Sequence, residues 1–264
     1  MKSLIENENI DDVLDTFFAN LSKAKYPLLL LDYDGTLAPF VEDRDKALPY
    51  PSVVPIIEDI QRETRTKVVI ISGRAVNNLL DLLRMDPIPE LWGSHGLERL
   101  RSHSDYQKME LSLRELEILV AAEETAAEYI DENRIEKKPA GVAAHFRGKS
   151  DEDAKQLARS IRKAWVNIIG ETNFEIHDFD GGIELRLAYV NKGLAVRELF
   201  KDNVDYFGTY LGDDHTDEDA FKALSDGNLP VLVRPEYRKT SANIWIRPPE
   251  ELKQFLNKWL STLS

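Results

Sequence analysis

Cysteine is missing from all 264 residues. Its absence removes disulfides, zinc–thiolate sites and any thiol nucleophile together. No stretch approaches the roughly 20 consecutive apolar residues that span a bilayer. The opening segment Met1-Lys2-Ser3-Leu4-Ile5-Glu6-Asn7-Glu8 also lacks the apolar core of a signal peptide, so a soluble, cytoplasmic protein is expected. Positive charge is short as well: 34 Lys and Arg stand against 47 Asp and Glu, a net charge of −13. Nucleic acid and anionic membranes would be repelled by that surface; a small molecule is the expected partner and a monomer the expected state, though charge itself says nothing of oligomeric state. If the small molecule is itself anionic, cations must be placed locally to receive it.

What is present, 42% hydrophobic and 31% charged residues, is ordinary globular composition. Leu28 to Leu31 and Lys67 to Ile71 are short apolar runs, as strands buried on both faces require. Leu91 and Trp92 lead to a third such junction at Gly93-Ser94-His95-Gly96, and 206–211 and Pro230 to Arg234 repeat the style near the C-terminus. Helical spacing is predicted over 10–21, 52–63, 75–84, 192–201 and from Thr216. Between them lies a different pattern: a Glu-rich helical stretch at 109–133, then segments 142–147 and 183–187 that alternate strictly, the mark of a sheet with one open face. The expected architecture is α/β, a Rossmann-like parallel-sheet core over 1–104 and 188–264 with an inserted α+β cap over 105–187.

Chemically capable residues fall at the carboxyl ends of the buried strands, where open parallel sheets bind ligands. Asp32 and Asp34 follow the first run, with Gly35 permitting a tight turn. One carboxylate there can attack phosphorus, and its neighbour can protonate the leaving oxygen and then take a proton from water. Asp213, Asp214, Asp217, Glu218 and Asp219 crowd the end of the strand 206–211. Magnesium takes one or two carboxylates with waters and phosphate oxygens, so Asp213 beside Asp32 is the expected direct ligand. Glu218 and Asp219 read instead as helix-start charge. Ser72 and the N–H groups around Gly73 suit a phosphate oxygen, and Lys192 can neutralise the phosphate as a point charge.

In this order, Asp32-Tyr33-Asp34-Gly35-Thr36, Ser72, Lys192 and Gly212-Asp213-Asp214 resemble the four motifs of the haloacid dehalogenase-type phosphatases. Gly212 to Phe221, Ser72-Gly73-Arg74, Gly93 to Glu98, His145-Phe146-Arg147 and Ile183 to Arg186 are similar to the trehalose-6-phosphate phosphatase family. Two positions depart from it: Leu187 stands where proline usually follows Glu-x-Arg, and Ser94 where asparagine is common. The resemblance implies a mobile cap, Asp32 as nucleophile, Asp34 as acid/base, and magnesium held by Asp32, Asp213 and the Asp34 backbone carbonyl. It also implies phosphate binding by Ser72, Gly73 and Lys192, with Asp214 orienting Lys192 or a metal-bound water and Asp217 close by. Arg74, His95, Lys138, His145, Arg147 and Glu184 are the expected sugar contacts, His95 having a plain turn residue as its alternative. Period-two geometry places His145, Arg147 and Glu184 on open faces: a polar lid, or a solvent-facing sheet whose ion pairs contribute about 0.2–1 kcal/mol each. The implied reaction is hydrolysis of trehalose 6-phosphate. Phosphatases for sucrose or glucosylglycerol phosphate, and a non-catalytic sugar-phosphate sensor, are the alternatives.

Overall fold

The four leucines of the first apolar run explain the layering of the core. The structure, a computed structural model, describes residues 1–5, 8–41, 43–102, 104–179 and 181–264, with Arg44 described by its backbone alone. In chain order, β1 (Lys2–Ser3) and α1 (Ile10–Leu21) precede β2 (Tyr26–Leu31), α2 (Val54–Glu63) and β3 (Lys67–Ile71). Then come α3 (Val76–Leu83), β4 (Glu90–Gly93), β5 (Glu98–Ser102) and β6 (Asp105–Lys108). The middle of the chain forms α4 (Leu113–Ala127), β7 (Ile135–Lys138), β8 (Gly141–His145), α5 (Asp151–Ile169), β9 (Phe174–Phe179) and β10 (Gly182–Leu187). The last part holds α6 (Lys192–Asp202), β11 (Tyr206–Gly212), α7 (Glu218–Ala223), β12 (Leu229–Val233), β13 (Ile244–Ile246) and α8 (Glu250–Leu263).

Successive side chains of β2 point to opposite faces of the sheet. Leu29 and Leu31 pack with Phe17, Phe255 and Trp259 from α1 and α8. Leu28 and Leu30 pack with Val196, Leu199 and Phe221 from α6 and α7. Each of these leucines is almost fully buried, a contribution of about 1.5–3 kcal/mol apiece. A strand covered on both faces has no room for a polar residue until it ends, so the chemistry is displaced to its carboxyl end.

Two compact units result: residues 1–107 with 191–264, and residues 108–190. The sequence pattern put these borders at 105 and 187. In the first unit the sheet order is β1-β13-β12-β11-β2-β3-β4-β5-β6. β2 runs parallel to β3 on one side and β11 on the other, so connections leave it in opposite directions and open a crevice at its carboxyl end. β1 at one edge, and β5 next to the other edge strand β6, pair antiparallel with β13 and β4 and were not predicted. Their sequences are short or polar and offer no apolar run.

The second unit has the sheet order β7-β8-β10-β9, antiparallel throughout. Trp165 of α5 and Ala122 of α4 lie buried against it, joined by the indole N–H donating to the Ala122 carbonyl at 2.9 Å. The helix expected over 109–133 starts later, because Ser112 and Glu115 form a capping box. It ends by Ala127, where Ile130 turns inward and the chain enters β7, a polar strand that alternation does not reveal.

Candidate active site

Asp32 leaves β2 with its N–H on the Leu211 carbonyl at 2.8 Å, so the strand end is tied to β11 before the turn begins. The turn closes as Gly35 donates to the Ala38 carbonyl at 2.8 Å, with Gly35 at φ 85°. A Cβ at Gly35 would collide with the Asp213 carboxylate. Glycine is therefore required both for the backbone conformation and for the approach of the two strand ends.

Lys192 starts α6 and is buried, its ammonium donating to Asp32 Oδ1 at 2.6 Å and to Asp217 Oδ1 at 2.7 Å. Asp217 is 0% exposed and takes three further donors: the Tyr210 hydroxyl at 2.7 Å and the N–H groups of Asp213 and Asp214, both at 2.9 Å. Asp214 itself is exposed and enters through its backbone. The lysine-holding position expected for Asp214 thus belongs to Asp217, because the turn 215–217 brings that residue back beneath the strand end. Glu218 stands in the first turn of α7, as its reading as helix-start charge expects, and it also accepts Arg238, the Thr240 hydroxyl and the Ser241 N–H. Arg238 in turn donates to the carbonyls of Asp213 and Asp214 at 3.0 and 2.6 Å, bracing the loop that carries them.

Asp32, Asp213 and Asp217 bring one carboxylate oxygen each within 4.8 Å of one another. Hydrogen bonding sorts the three. Asp217 is saturated by donors, whereas both oxygens of Asp213 are buried with none. An unsatisfied buried carboxylate is costly. The three carboxylates and one ammonium leave two negative charges over, which one divalent cation balances. All-oxygen donors suit a hard cation of that kind. In the protein alone, burial and then the Asp217 charge raise the Asp32 carboxyl above its ordinary range, against the pull of Lys192. Burial and then Asp32 raise Asp213 in the same way. Burial works against the Lys192 charge, but Asp217 and Asp32 outweigh it and hold the ammonium well above its usual range.

Beside this cluster, Ser72 follows directly on β3; its hydroxyl accepts the Arg74 N–H at 3.1 Å and its carbonyl accepts the His95 N–H at 3.0 Å. Ser94 and His95 hold φ values of 49° and 57°, the left-handed region that costs a non-glycine residue about 1–2 kcal/mol. The loop is fastened by Glu98, buried, which accepts the Ser94 hydroxyl at 2.7 Å and the Val76 N–H at 3.0 Å. It lays the His95 ring over Gly73, 2.6 Å from where a Cβ would stand. Strain of this order is kept where the surroundings impose it.

A family model described as trehalose-phosphatase matches residues 30–245. The chain belongs to that family. Trehalose 6-phosphate phosphatase RA3 of Zea mays is 29% identical over 265 residues, covering 90% of this chain and 70% of the relative. The trehalose-phosphate phosphatase of Mycobacterium ulcerans is also 29% identical, over 90% of this chain and 62% of its own. Among solved structures, trehalose-6-phosphate phosphatase of Aspergillus fumigatus superposes with a TM-score of 0.75 at 26% identity, over 94% of this chain and 97% of that one. The sugar phosphatase BT4131, a haloacid dehalogenase-superfamily protein of subclass IIB, shares the fold at a TM-score of 0.60 and 13% identity, over 88% and 98% of the chains. Among the described residues no helix is long and apolar enough to cross a membrane.

Within this family chain, the structure brings Asp32, Asp213, Asp217 and Lys192 together and sets Ser72, Gly73 and His95 in one loop pair. Arg74 departs from the expected sugar contact: it is buried, with Nε on Asp34 Oδ2 at 2.7 Å and an Nη on Asp34 Oδ1 at 2.6 Å. In the second unit, register aligns His177, Glu184, Ala143 and Glu136 across the sheet. Glu184 pairs with Lys138 at 3.1 Å, and His145 meets Glu136 at 2.9 Å. Arg147 lies beyond β8, which ends at His145 where the chain turns toward α5, and it lines a cleft of about 430 Å³ with Lys149 and Lys155. Strand alternation does not reach it. Tyr210, Glu98 and Arg238 were missed as site supports. The sequence trace of the second was its place at the end of the Gly93 to Glu98 segment.

Proposed function

We propose that this chain is a magnesium-dependent phosphomonoester hydrolase that converts trehalose 6-phosphate and water into trehalose and phosphate. The observation that carries the reading is the buried Asp32–Lys192–Asp217 arrangement with the donor-free Asp213 carboxylate beside it. Asp32 attacks phosphorus through a carboxylate oxygen, and the bond from phosphorus to the sugar oxygen breaks. That oxygen leaves with the electron pair and takes a proton from Asp34. Water then attacks the aspartyl-phosphate phosphorus while Asp34 accepts its proton, and Asp32 is regenerated. Lys192 supplies positive charge to the phosphate and keeps Asp32 oriented. The Ser72 hydroxyl and the Gly73 N–H are assigned to phosphate oxygens, the Arg74 N–H being held by Ser72 Oγ.

Asp32, Asp213 and the Asp34 carbonyl are the proposed magnesium ligands, and the bound ion would supply charge stabilisation at the phosphoryl oxygens. The Asp34 carboxylate is engaged by Arg74, which favours its carbonyl for that task. Sugar recognition is assigned to Lys138, His145 and Glu184. A carboxylate–ammonium pair and an imidazole suit a hydroxyl-rich disaccharide, and the names of the Zea mays and Aspergillus fumigatus relatives support the same substrate. A panel of sugar phosphates assayed with magnesium tests this. Trehalose 6-phosphate is expected to give the highest kcat/KM, and a higher value for sucrose 6-phosphate or glucosylglycerol phosphate would overturn the substrate.

A further inference from the structure

We propose that Arg74 is the positioning residue of the acid/base carboxylate: its guanidinium fork, fixed by the fold, holds Asp34 in the orientation from which it exchanges protons with the reacting oxygens. The inference rests on the assignment of Asp34 as the proton-transfer group.

Two parallel N–H···O bonds at 2.7 and 2.6 Å engage both Asp34 oxygens. Such a fork fixes the carboxyl plane, which a single contact does not. Arg74 is the better anchored of the two. Its N–H donates to Ser72 Oγ at 3.1 Å, and its carbonyl accepts the Ser94 N–H at 2.7 Å. Its guanidinium carbon lies 5.6 Å from the centre of the Tyr33 ring, whose hydroxyl donates to the Ala47 carbonyl at 2.7 Å. The arginine side chain is 4% exposed and the aspartate 25%. The buried partner is therefore the frame, and the half-open one is the group that meets substrate.

The fork also joins two parts of the site that sequence places 40 residues apart. The backbone that presents Ser72 to phosphate is the same one that carries the fork to Asp34, so the phosphate cradle and the proton-transfer group share one reference point. Proximity and angle decide how much a proton-transfer group contributes, and errors of about 1 Å are costly. Lysine offers a point charge and cannot reproduce the planar grip.

Phenyl and 4-nitrophenyl phosphate provide the test, because neither carries a sugar and they differ in how strongly the leaving oxygen needs a proton. kcat/KM reports only the steps through phosphoryl transfer to Asp32. In Arg74→Met, the 4-nitrophenyl to phenyl ratio of kcat/KM should rise at least about tenfold over wild type, within the range that general acid catalysis contributes. Arg74→Lys should raise the ratio less, and Asp34→Asn at least as much as Arg74→Met. A sugar-contact role for Arg74 leaves the ratio at its wild-type value, and a merely structural role lowers both esters by one factor. Either result overturns the proposal. Should thermal melts show Arg74→Met unfolded, Arg74→Lys carries the decision, and an unchanged ratio there is equally fatal. An unchanged ratio in Asp34→Asn instead overturns the acid/base assignment itself, and this inference with it.

Discussion

Asp217 receives four hydrogen bonds with no exposed surface. Nothing in the run Asp213, Asp214, Asp217, Glu218, Asp219 marks it as the central acid. The sequence shows five acids within seven positions, but only the path of the turn after β11 decides which one faces inward. An amide at 217 would keep the shape, lose the charge that holds Lys192, and turn one acceptor into a donor facing donors. Removing one partner of a buried ion pair costs about 3–5 kcal/mol. Asp217→Asn is therefore expected to lose stability of that order in denaturant unfolding and at least about 100-fold in kcat on trehalose 6-phosphate. Arg74 teaches the same lesson. Its place after Ser72-Gly73 was legible, but its direction was not, because side-chain orientation at a strand end depends on a partner 40 residues away.

At the scale of elements, buried strands were easy to read and edge strands were not. β2, β3 and β11 are apolar on both faces because helices cover both, so each announces its own end and the residues standing there. β5 and β7 are polar, and β8 stops two residues before Arg147, so alternation was carried too far. Gly35 marks the join between β2 and β11. Gly35→Ala places a Cβ against the Asp213 carboxylate in a left-handed backbone. It should cost about 1–2 kcal/mol of stability and weaken magnesium binding at least about tenfold, read by calorimetric titration; unchanged affinity would argue against Asp213 as ligand. In β10, Glu184→Ala leaves Lys138 without its partner. Both side chains are partly exposed, so stability should change by less than about 1 kcal/mol. kcat/KM should fall at least about tenfold on trehalose 6-phosphate and less than about twofold on 4-nitrophenyl phosphate. Equal losses on the two would remove β10 from sugar recognition.

For the molecule as a whole, a net charge of −13 and a centre dominated by carboxylates make the protein's stability depend on pH and, under the proposed ligand assignment, on magnesium. Burial first, then neighbouring carboxylates, raise Asp32 and Asp213 above the ordinary 3.8 in the folded state. Between 3.8 and those raised values the folded protein binds more protons than the unfolded chain, so its stability falls as pH rises through that window. Glu218 and Glu251 are lowered instead, and their contribution is already complete above the ordinary carboxylate range. In EDTA, melting temperature should therefore drop from pH 5.5 to pH 8. Magnesium should restore more at pH 8 than at pH 5.5, by about 2.7 kcal/mol at one hundred times its dissociation constant. A metal-free melting temperature that climbs over this interval would contradict the assignment.

The central claim is that Asp32 carries the phosphoryl group of trehalose 6-phosphate. Phosphate release from that ester with magnesium, compared between wild type and Asp32→Asn, tests it most directly. The account predicts turnover by the wild type and a loss of about 10⁴-fold or more in the variant, with a melting temperature no lower than that of the wild type in EDTA. A folded Asp32→Asn that still releases phosphate at the wild-type rate would contradict it.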